Sequence, residues 1–188
     1  MTNRPRIGIV ISTTRAARFA DKPTQWLQSI AEDRSDLDIE IVDLRDYPLP
    51  FFDESLVHDD GPAGAKWATK MAELDGYIFV TAEYNHSIPG VLKNALDHAH
   101  AEYNRKPAAF VGYGGVGGAR AVEQLRLILA ELQIATLKHA VHINANELVP
   151  LMKSEKTFTD FPYLTEAANV MLDQLVWWAN ALKTARAA

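Results

Sequence analysis

The sequence predicts an α/β protein with a doubly wound sheet of five parallel strands, in the order 2-1-3-4-5, and helices on both faces. Two observations support this fold class. Short apolar runs alternate with longer segments of helical period, which is the pattern of β-α-β units. The apolar runs are nearly continuous in Val, Ile, Phe and Ala, as expected for strands that helices cover on both sides.

The five predicted strands coincide with the short apolar runs. They are expected at residues 7–11, 39–42, 77–81, 108–112 and about 139–143. The chain has 188 residues, of which 48% are apolar, and this supplies enough apolar surface for one core. We therefore expect a single domain over residues 1–188.

Four helices are predicted between and after these strands. The first covers residues 21–31, where Pro23 is acceptable because it falls in the first turn. The helices after strands three and four each have one apolar face, formed by Val91, Leu92, Ala95, Leu96 and Ala99, and by Val122, Leu125, Ile128, Leu129 and Leu132. The last helix covers residues 163–186, and its predicted core face comprises Ala167, Val170, Met171, Leu175, Trp178 and Leu182.

The segment of residues 47–64 is predicted to be a long surface loop. It contains Pro48, Pro50 and the run Asp59-Asp60-Gly61-Pro62, and this many helix and strand breakers argue against regular structure. The two adjacent acids are most simply solvated.

Composition excludes several classes of function. The chain has no cysteine, which rules out a thiol nucleophile and a Cys-ligated metal and fits a reducing, cytoplasmic location. A formal net charge of −5 disfavours binding to nucleic acid, which relies on basic side chains. The N-terminal apolar run, residues 7–12, is too short for a signal-peptide core or a bilayer span, so we expect no membrane partner.

Two pairs of histidines, His98 with His100 and His139 with His142, have spacings that could suggest a metal site. Residues two apart on a helix do not face each other, and no acidic cluster accompanies either pair. Solvated or partner-facing histidines are the simpler interpretation, and we expect no metal ligand.

The loop after the first strand is suited to a phosphate, because ligands of doubly wound sheets bind where the strands end. It contains the hydroxyls of Ser12, Thr13 and Thr14 and the guanidinium groups of Arg15 and Arg18, just before a helix N-terminus. Hydroxyl donors, positive charge and the helix dipole all favour a dianion. The glycines and lysine of a nucleoside-triphosphate loop are missing, so a monophosphate fits better. A capped helix with two solvated arginines is the alternative.

The loop after the third strand, residues 81–90, is more polar than a simple connection needs. Its backbone amides and the Asn85 side chain could address the polar edge of a planar heterocycle, while Tyr84 and Ile88 offer apolar contact. These are the binding groups that a flavin needs. An elaborate turn that ends at Pro89-Gly90 is the alternative.

The loop after the fourth strand, residues 112–118, matches G-x-G-x-x-G, the pattern of dinucleotide-binding folds. That interpretation is disfavoured because the match follows the fourth strand rather than the first. The acid expected at the end of the following strand is also missing, since Glu131 falls inside a helix. Close approach of the backbone to a flat ring explains the glycines better.

These loops resemble those of the NADPH-dependent FMN reductase family, which includes quinone, azo and chromate reductases and has a flavodoxin-like fold. The resemblance is strongest at residues 81–97, Thr-Ala-Glu-Tyr-Asn-His-Ser-Ile-Pro-Gly-Val-Leu-Lys-Asn-Ala-Leu-Asp, and continues in the loop and helix at 113–126. Two departures are Ser12-Thr13, where relatives usually carry Gly-Ser, and Ala82, which replaces a frequent Pro. The β-carbon of Ser12 could weaken FMN binding.

The resemblance implies a set of FMN-binding residues. Thr13, Arg15 and Arg18 would hold the phosphate, beside Ser12. The isoalloxazine ring would be lined largely by backbone groups of Glu83, Tyr84, Asn85 and His86, with Gly114 and Gly115 lying against it.

The resemblance also implies a function, namely a ping-pong oxidoreductase. A hydride would pass from NADPH or NADH to FMN and then to a small acceptor, such as a quinone, free flavin, azo compound or metal oxyanion. No side chain is expected to be catalytic, because the cofactor carries the chemistry. Relatives are typically dimers or tetramers, so a homodimer or homotetramer is expected, with Leu127 and Trp177 as candidate interface residues.

Two alternatives are kept. One is a non-catalytic FMN-binding electron carrier, which Arg15, Arg18 and residues 83–90 disfavour. The other is a binding module without a cofactor, which the departure at Ser12 would permit.

Overall fold

The computed structural model describes residues 4–53 and 61–188. Its central sheet contains β1 (Arg6–Ile11), β2 (Asp38–Asp43), β3 (Gly76–Ala82), β4 (Pro107–Tyr113), β5 (Ala135–Thr136) and β6 (Val141–Ile143). These strands pair in parallel in the order β2-β1-β3-β4-β5, and β6 also pairs with β4. The predicted doubly wound, flavodoxin-like order is confirmed.

Helices cover both faces of the sheet. They are α1 (Asp21–Glu32), α2 (Gly61–Glu73), α3 (Gly90–Asp97), α4 (Ala119–Glu131), α5 (Ala145–Met152) and α6 (Pro162–Ala187). The first and last pack on one face, while α2, α3 and α4 pack on the other. None of the helices within residues 4–53 and 61–188 combines the length and hydropathy that a bilayer crossing requires.

The core consists of two apolar layers, because alternate residues of each central strand point to opposite faces. In β3, Ile78 and Val80 face α1 and α6, whereas Tyr77 and Phe79 face α2, α3 and α4. All four side chains are fully buried. The central strands are therefore packed from both sides.

The region of the fifth predicted strand differs from the expectation at 139–143. Two short strands pair with opposite ends of β4: Ala135 lies beside Pro107, and Val141 lies beside Val111. Between them the chain leaves the sheet at Lys138 and His139, which are exposed. The apolar pattern therefore identified β6 but not β5.

The segment predicted as a loop at 47–64 is only partly irregular. Helix α2 begins at Gly61, so the prediction is wrong for the last part of the segment. Pro62 is tolerated there because proline fits the first turn of a helix. Residues 54–60, including the acid pair Asp59-Asp60, lie outside the described residues.

Two of the four histidines expected to be solvated or partner-facing lie against the protein's own backbone. His98 is buried, with its Nε2 3.0 Å from the Pro50 carbonyl oxygen, and the Nδ1 of the half-buried His142 lies 2.9 Å from the Gly117 carbonyl oxygen. The expectation is wrong for these two residues, because hydrogen-bond acceptors on other elements face them.

Candidate functional site

The turns that follow β1, β3 and β4 are joined at the carboxyl edge of the sheet. The Ser12 N–H donates to β3 at 3.1 Å, the Glu83 N–H donates to β4 at 3.0 Å, and the Gly114 N–H donates to β6 at 3.3 Å. A backbone hydrogen bond to a neighbouring strand therefore fixes the start of each turn. The structure brings the three predicted loops to one place.

The first turn contains a buried hydroxyl without a partner. Thr13 is 1% exposed, and within the described part of the chain neither its Oγ1 nor the Tyr113 hydroxyl forms a hydrogen bond. Burial raises the pKa of Tyr113 to about 12, although the Thr13 hydroxyl beside it acts in the opposite direction. Buried polar groups are usually satisfied, so these hydroxyls are candidates for contact with a ligand oxygen.

Ser12 packs inside the fold. Its side chain is fully buried, and its hydroxyl lies 3.5 Å from the Val10 carbonyl oxygen. The β-carbon at this position is thus accommodated by the protein interior.

The two arginines of the first turn have different environments. Arg15 is exposed, and its guanidinium carbon lies 5.9 Å from the centre of the Tyr84 ring in the second turn. The Arg18 side chain is only 3% exposed and is paired with Asp21 at 2.7 Å and with Asp43. Two carboxylates thus neutralise the charge of Arg18, and the expectation that it holds a phosphate stays a prediction.

Arg45 also lies at the first turn, and the pattern of that loop does not predict it. It lies just after β2, in a 3₁₀ turn, and donates to the carbonyl oxygens of Thr14 at 3.5 Å, of Arg15, and of Ala16 at 3.2 Å. The strand order offered a signal. Because β2 neighbours β1, the residues that follow β2 lie beside the first turn.

The second turn presents backbone groups to solvent. Tyr84 and Ser87 exchange backbone hydrogen bonds of 3.0 and 3.1 Å, which closes a turn of two residues. Those two residues, Asn85 and His86, have φ angles of 49° and 73°, a region that non-glycine residues seldom adopt. Their own N–H groups take no part in closing the turn, so they can face the polar edge of a planar ligand.

Glu83 connects the second turn to the third. Its carboxylate is 3% exposed and accepts hydrogen bonds from the Arg120 backbone N–H at 3.1 Å and from Arg120 Nε at 2.6 Å. Burial alone would raise the pKa of this carboxyl, but the hydrogen bonds from Arg120 outweigh burial and hold the pKa below its ordinary value. A carboxylate at the start of α4 also interacts favourably with the helix dipole.

The third turn uses its glycines in two ways. Gly118 has a φ of 67°, and a β-carbon there would lie 2.6 Å from the Tyr113 nitrogen, so a larger residue does not fit. At Gly114 a β-carbon would lie 3.2 Å from the Glu83 Cβ. A β-carbon at the exposed Gly115 would have none of the described atoms of the chain within 4 Å. Gly115 therefore leaves the outer side of the turn open to a flat ring.

A cleft of about 400 Å³ adjoins the first turn. Its lining includes Thr14, Arg45 and the apolar side chains of Leu44, Tyr47, Leu49, Phe51 and Val91. Asn94 of α3 holds the segment of residues 50–52 at the cleft. Its side chain donates to the Pro50 carbonyl at 2.8 Å and accepts from the Phe52 N–H at 2.9 Å. Apolar walls beside a cation suit a flat, hydrophobic molecule.

The residues at this edge fit FMN. The unpartnered hydroxyl of Thr13 and the cation of Arg15 suit a phosphate, and the N–H groups of the second turn suit the polar edge of the ring. Across residues 4–53 and 61–188, no group of three His, Asp or Glu side chains is placed to hold a metal ion.

The chain is similar to known flavin and quinone reductases. The family model described as NADPH-dependent FMN reductase matches residues 5–147. The NAD(P)H-dependent FMN reductase of Schizosaccharomyces pombe is 35% identical over 136 residues, or 69% of this chain and 68% of that protein. The 2-hydroxy-1,4-benzoquinone reductase of a Burkholderia species is 33% identical over 139 residues, or 70% of this chain and 74% of that protein.

A solved structure is similar over nearly the whole chain. The flavoenzyme NAD(P)H:(acceptor) oxidoreductase FerB of Paracoccus denitrificans has a TM-score of 0.74 and 23% identity, and the match covers 94% of this chain and 98% of that one. At this identity the similarity bears on the fold alone, and it agrees with the strand order described above.

Proposed function

Since this chain belongs to the NADPH-dependent FMN reductase family and is an oxidoreductase, we propose that it binds FMN at the carboxyl edge of its sheet and reduces a small acceptor with NAD(P)H. The chemistry that bound FMN supplies is hydride transfer, in which NAD(P)H is oxidised and the acceptor gains two electrons. The protein itself binds FMN, orients the substrates against it and excludes water from them.

Each turn has a distinct part in this proposal. Arg15 and the Thr13 hydroxyl bind the phosphate by charge-assisted and neutral hydrogen bonds. The N–H groups of Asn85 and His86 bind the polar edge of the ring, where donors stabilise negative charge. Gly115 admits the face of the ring, and no side chain acts as an acid or a base.

The observation that carries the proposal is the buried, unpartnered Thr13 hydroxyl next to the exposed Arg15 at the end of β1. A buried hydroxyl without a partner costs about 1–3 kcal/mol, so it persists where a ligand recovers that cost. Phosphate oxygens are strong acceptors, and the second turn lies close enough for Arg15 to reach its Tyr84 ring.

The proposal is tested by FMN titration followed by steady-state kinetics. We expect FMN fluorescence to be quenched on binding, and the loaded protein to consume NAD(P)H when a quinone is added. Varying both substrates should give parallel double-reciprocal lines, because one site is used in turn by donor and acceptor. Protein that binds no flavin, or that binds FMN but consumes no NAD(P)H with any acceptor, contradicts the proposal.

The acceptor we propose is a flat, apolar quinone. The Burkholderia relative is named for a benzoquinone substrate, and the cleft beside the first turn is lined by Tyr47, Phe51 and Val91. A panel of a quinone, an azo dye, free flavin and chromate, each assayed with NADPH and NADH, is the test. The quinone should have the highest kcat/KM, and a preference for chromate would contradict this choice.

We also propose a homodimer or homotetramer located in the cytoplasm. Leu127 on α4 is 67% exposed and Trp177 on α6 is 65% exposed, and large exposed apolar side chains favour association. The lack of cysteine fits a reducing compartment. Light scattering should give a multiple of the 20.9 kDa chain mass, and cell fractionation should recover the protein with cytosolic markers. A monomer mass, or a membrane-bound or exported pool, would contradict these assignments.

A further inference from the structure

We propose that Arg45 and Arg18 are positioning residues that turn the backbone of residues 13–17 into a phosphate-binding nest. This inference rests on the proposed use of FMN. It assigns to these two arginines the orientation of the loop, and it leaves Arg15 as the guanidinium that touches the phosphate.

The carbonyl groups of the loop face two arginines. Arg18 donates to the Thr13 carbonyl at 2.7 Å. Arg45 donates to the next three carbonyls, those of Thr14, Arg15 and Ala16. Four consecutive carbonyl oxygens are therefore drawn towards two guanidinium groups.

The direction of the N–H groups in the loop follows from the geometry of the peptide bond. In a trans peptide the C=O of one residue and the N–H of the next point in opposite directions. The N–H groups of residues 14–17 must therefore point away from the two arginines. Within the described part of the chain none of these four N–H groups donates a hydrogen bond, and successive N–H groups that point the same way form an anion-binding concavity.

The two arginines share one anchor. Asp43, the last residue of β2, accepts from Arg18 at 2.6 Å and also from the Arg45 backbone N–H at 3.0 Å. One carboxylate thus holds the guanidinium group of Arg18 and the backbone of Arg45. Arg45 has a planar fork of donors that can reach several oxygens, whereas a lysine presents a single point of charge.

The test compares FMN with riboflavin, which has the same ring but lacks the phosphate. We expect Arg45→Ala and Arg45→Lys to weaken FMN binding about tenfold and to leave riboflavin binding within about twofold. Arg4→Ala is the matched control for loss of a positive charge, since Arg4 pairs with Asp38 at the opposite end of the sheet at 2.7 Å. It should bind both flavins as the wild type does.

Asp43→Asn is a second variant. For this variant, simple electrostatics and the proposed anchor predict opposite changes in FMN affinity. Removal of a negative charge near the phosphate would strengthen FMN binding, whereas loss of the anchor should weaken it about three- to tenfold. The inference is overturned if Arg45→Lys keeps wild-type FMN affinity, if Asp43→Asn binds FMN more tightly, or if either variant loses affinity for the two flavins equally. Wild-type protein that binds neither flavin would overturn the proposed function and this inference together.

Discussion

Thr13 is the residue whose environment is hardest to explain without a ligand. Its hydroxyl is buried beside that of Tyr113, and neither has a partner in the part of the chain that the structure describes. Such a pair lowers stability in the free protein and strengthens binding of an acceptor-rich ligand. The same side chain should therefore affect folding and binding in opposite directions.

Thr13→Val tests this expectation because it removes the hydroxyl and nearly preserves the shape. Without FMN, the free energy of unfolding should stay the same or rise by up to about 1 kcal/mol, since an unsatisfied group is removed. FMN affinity should fall about five- to tenfold. Chemical denaturation and fluorescence titration measure the two quantities. A variant that is clearly destabilised without FMN would show that the hydroxyl is already satisfied.

Arg15→Ala should have its effect on binding alone. Arg15 is exposed, so its removal should change the free energy of unfolding by less than about 0.5 kcal/mol. Loss of a charge-assisted hydrogen bond should weaken FMN binding by about 1.5–3 kcal/mol, which is tenfold or more. Riboflavin is the control ligand, and its affinity should not change. Equal FMN affinity in the two proteins would remove Arg15 from the site.

The second and third turns act as one element, because Glu83 and Arg120 join them. The Glu83 pKa is lower in the folded chain than in the unfolded one. The stabilisation from this carboxylate is therefore present above its ordinary pKa of 4.5 and is lost as the pH falls through the lowered folded value.

Glu83→Gln should reproduce that loss at neutral pH. We expect the variant to be less stable than the wild type at about pH 7, and the difference between them to shrink as the pH falls below about 4.5. Denaturant unfolding at several pH values measures it. Glu123→Gln is the control. This exposed residue lies on α4, and the stability of the variant should equal that of the wild type at every pH. A difference that does not vary with pH would contradict the ion pair.

The glycines of the third turn offer a matched pair of substitutions. Gly118→Ala should lower the free energy of unfolding by about 2 kcal/mol or more, because of its positive φ and the close Tyr113 nitrogen. Gly115→Ala should change stability by less than about 0.5 kcal/mol, since its β-carbon would contact none of the residues that the structure describes. Gly115→Ala should instead weaken FMN binding. Full FMN affinity in Gly115→Ala would contradict the proposed contact between this turn and the ring. Unchanged stability in Gly118→Ala would contradict the close packing at Gly118.

Local pattern predicted most elements, and the misses lie where helix breakers or apolar residues on several sides made the pattern ambiguous. Helix α2 was not predicted because Pro62 and Gly64 obscured the buried spacing of Trp67 and Met71. Helix α6 was predicted within a residue of each end, but its core face was partly misassigned. Trp178 is 37% exposed, and Leu172, which was not chosen, is fully buried. Apolar residues lie on more than one side of this helix, so spacing alone did not select the buried side.

The location of the site as a whole followed from strand order. Residues just after β1, β3 and β4 meet because parallel strands end at one edge. The individual roles of the arginines did not follow. Arg18 is paired with Asp43, and Arg45 reaches the first turn from β2, and both contacts join residues more than twenty positions apart. A motif confined to one loop contains no information about such contacts.

A crystal structure of the protein with FMN tests the central claim most directly. We expect the phosphate within hydrogen-bond distance of Arg15, Thr13 Oγ1 and the N–H groups of residues 14–17. The ring should lie between the turn at Asn85 and His86 and the open side of Gly115. Density for FMN at another place on the chain, or none at this edge at saturating FMN, would contradict the account.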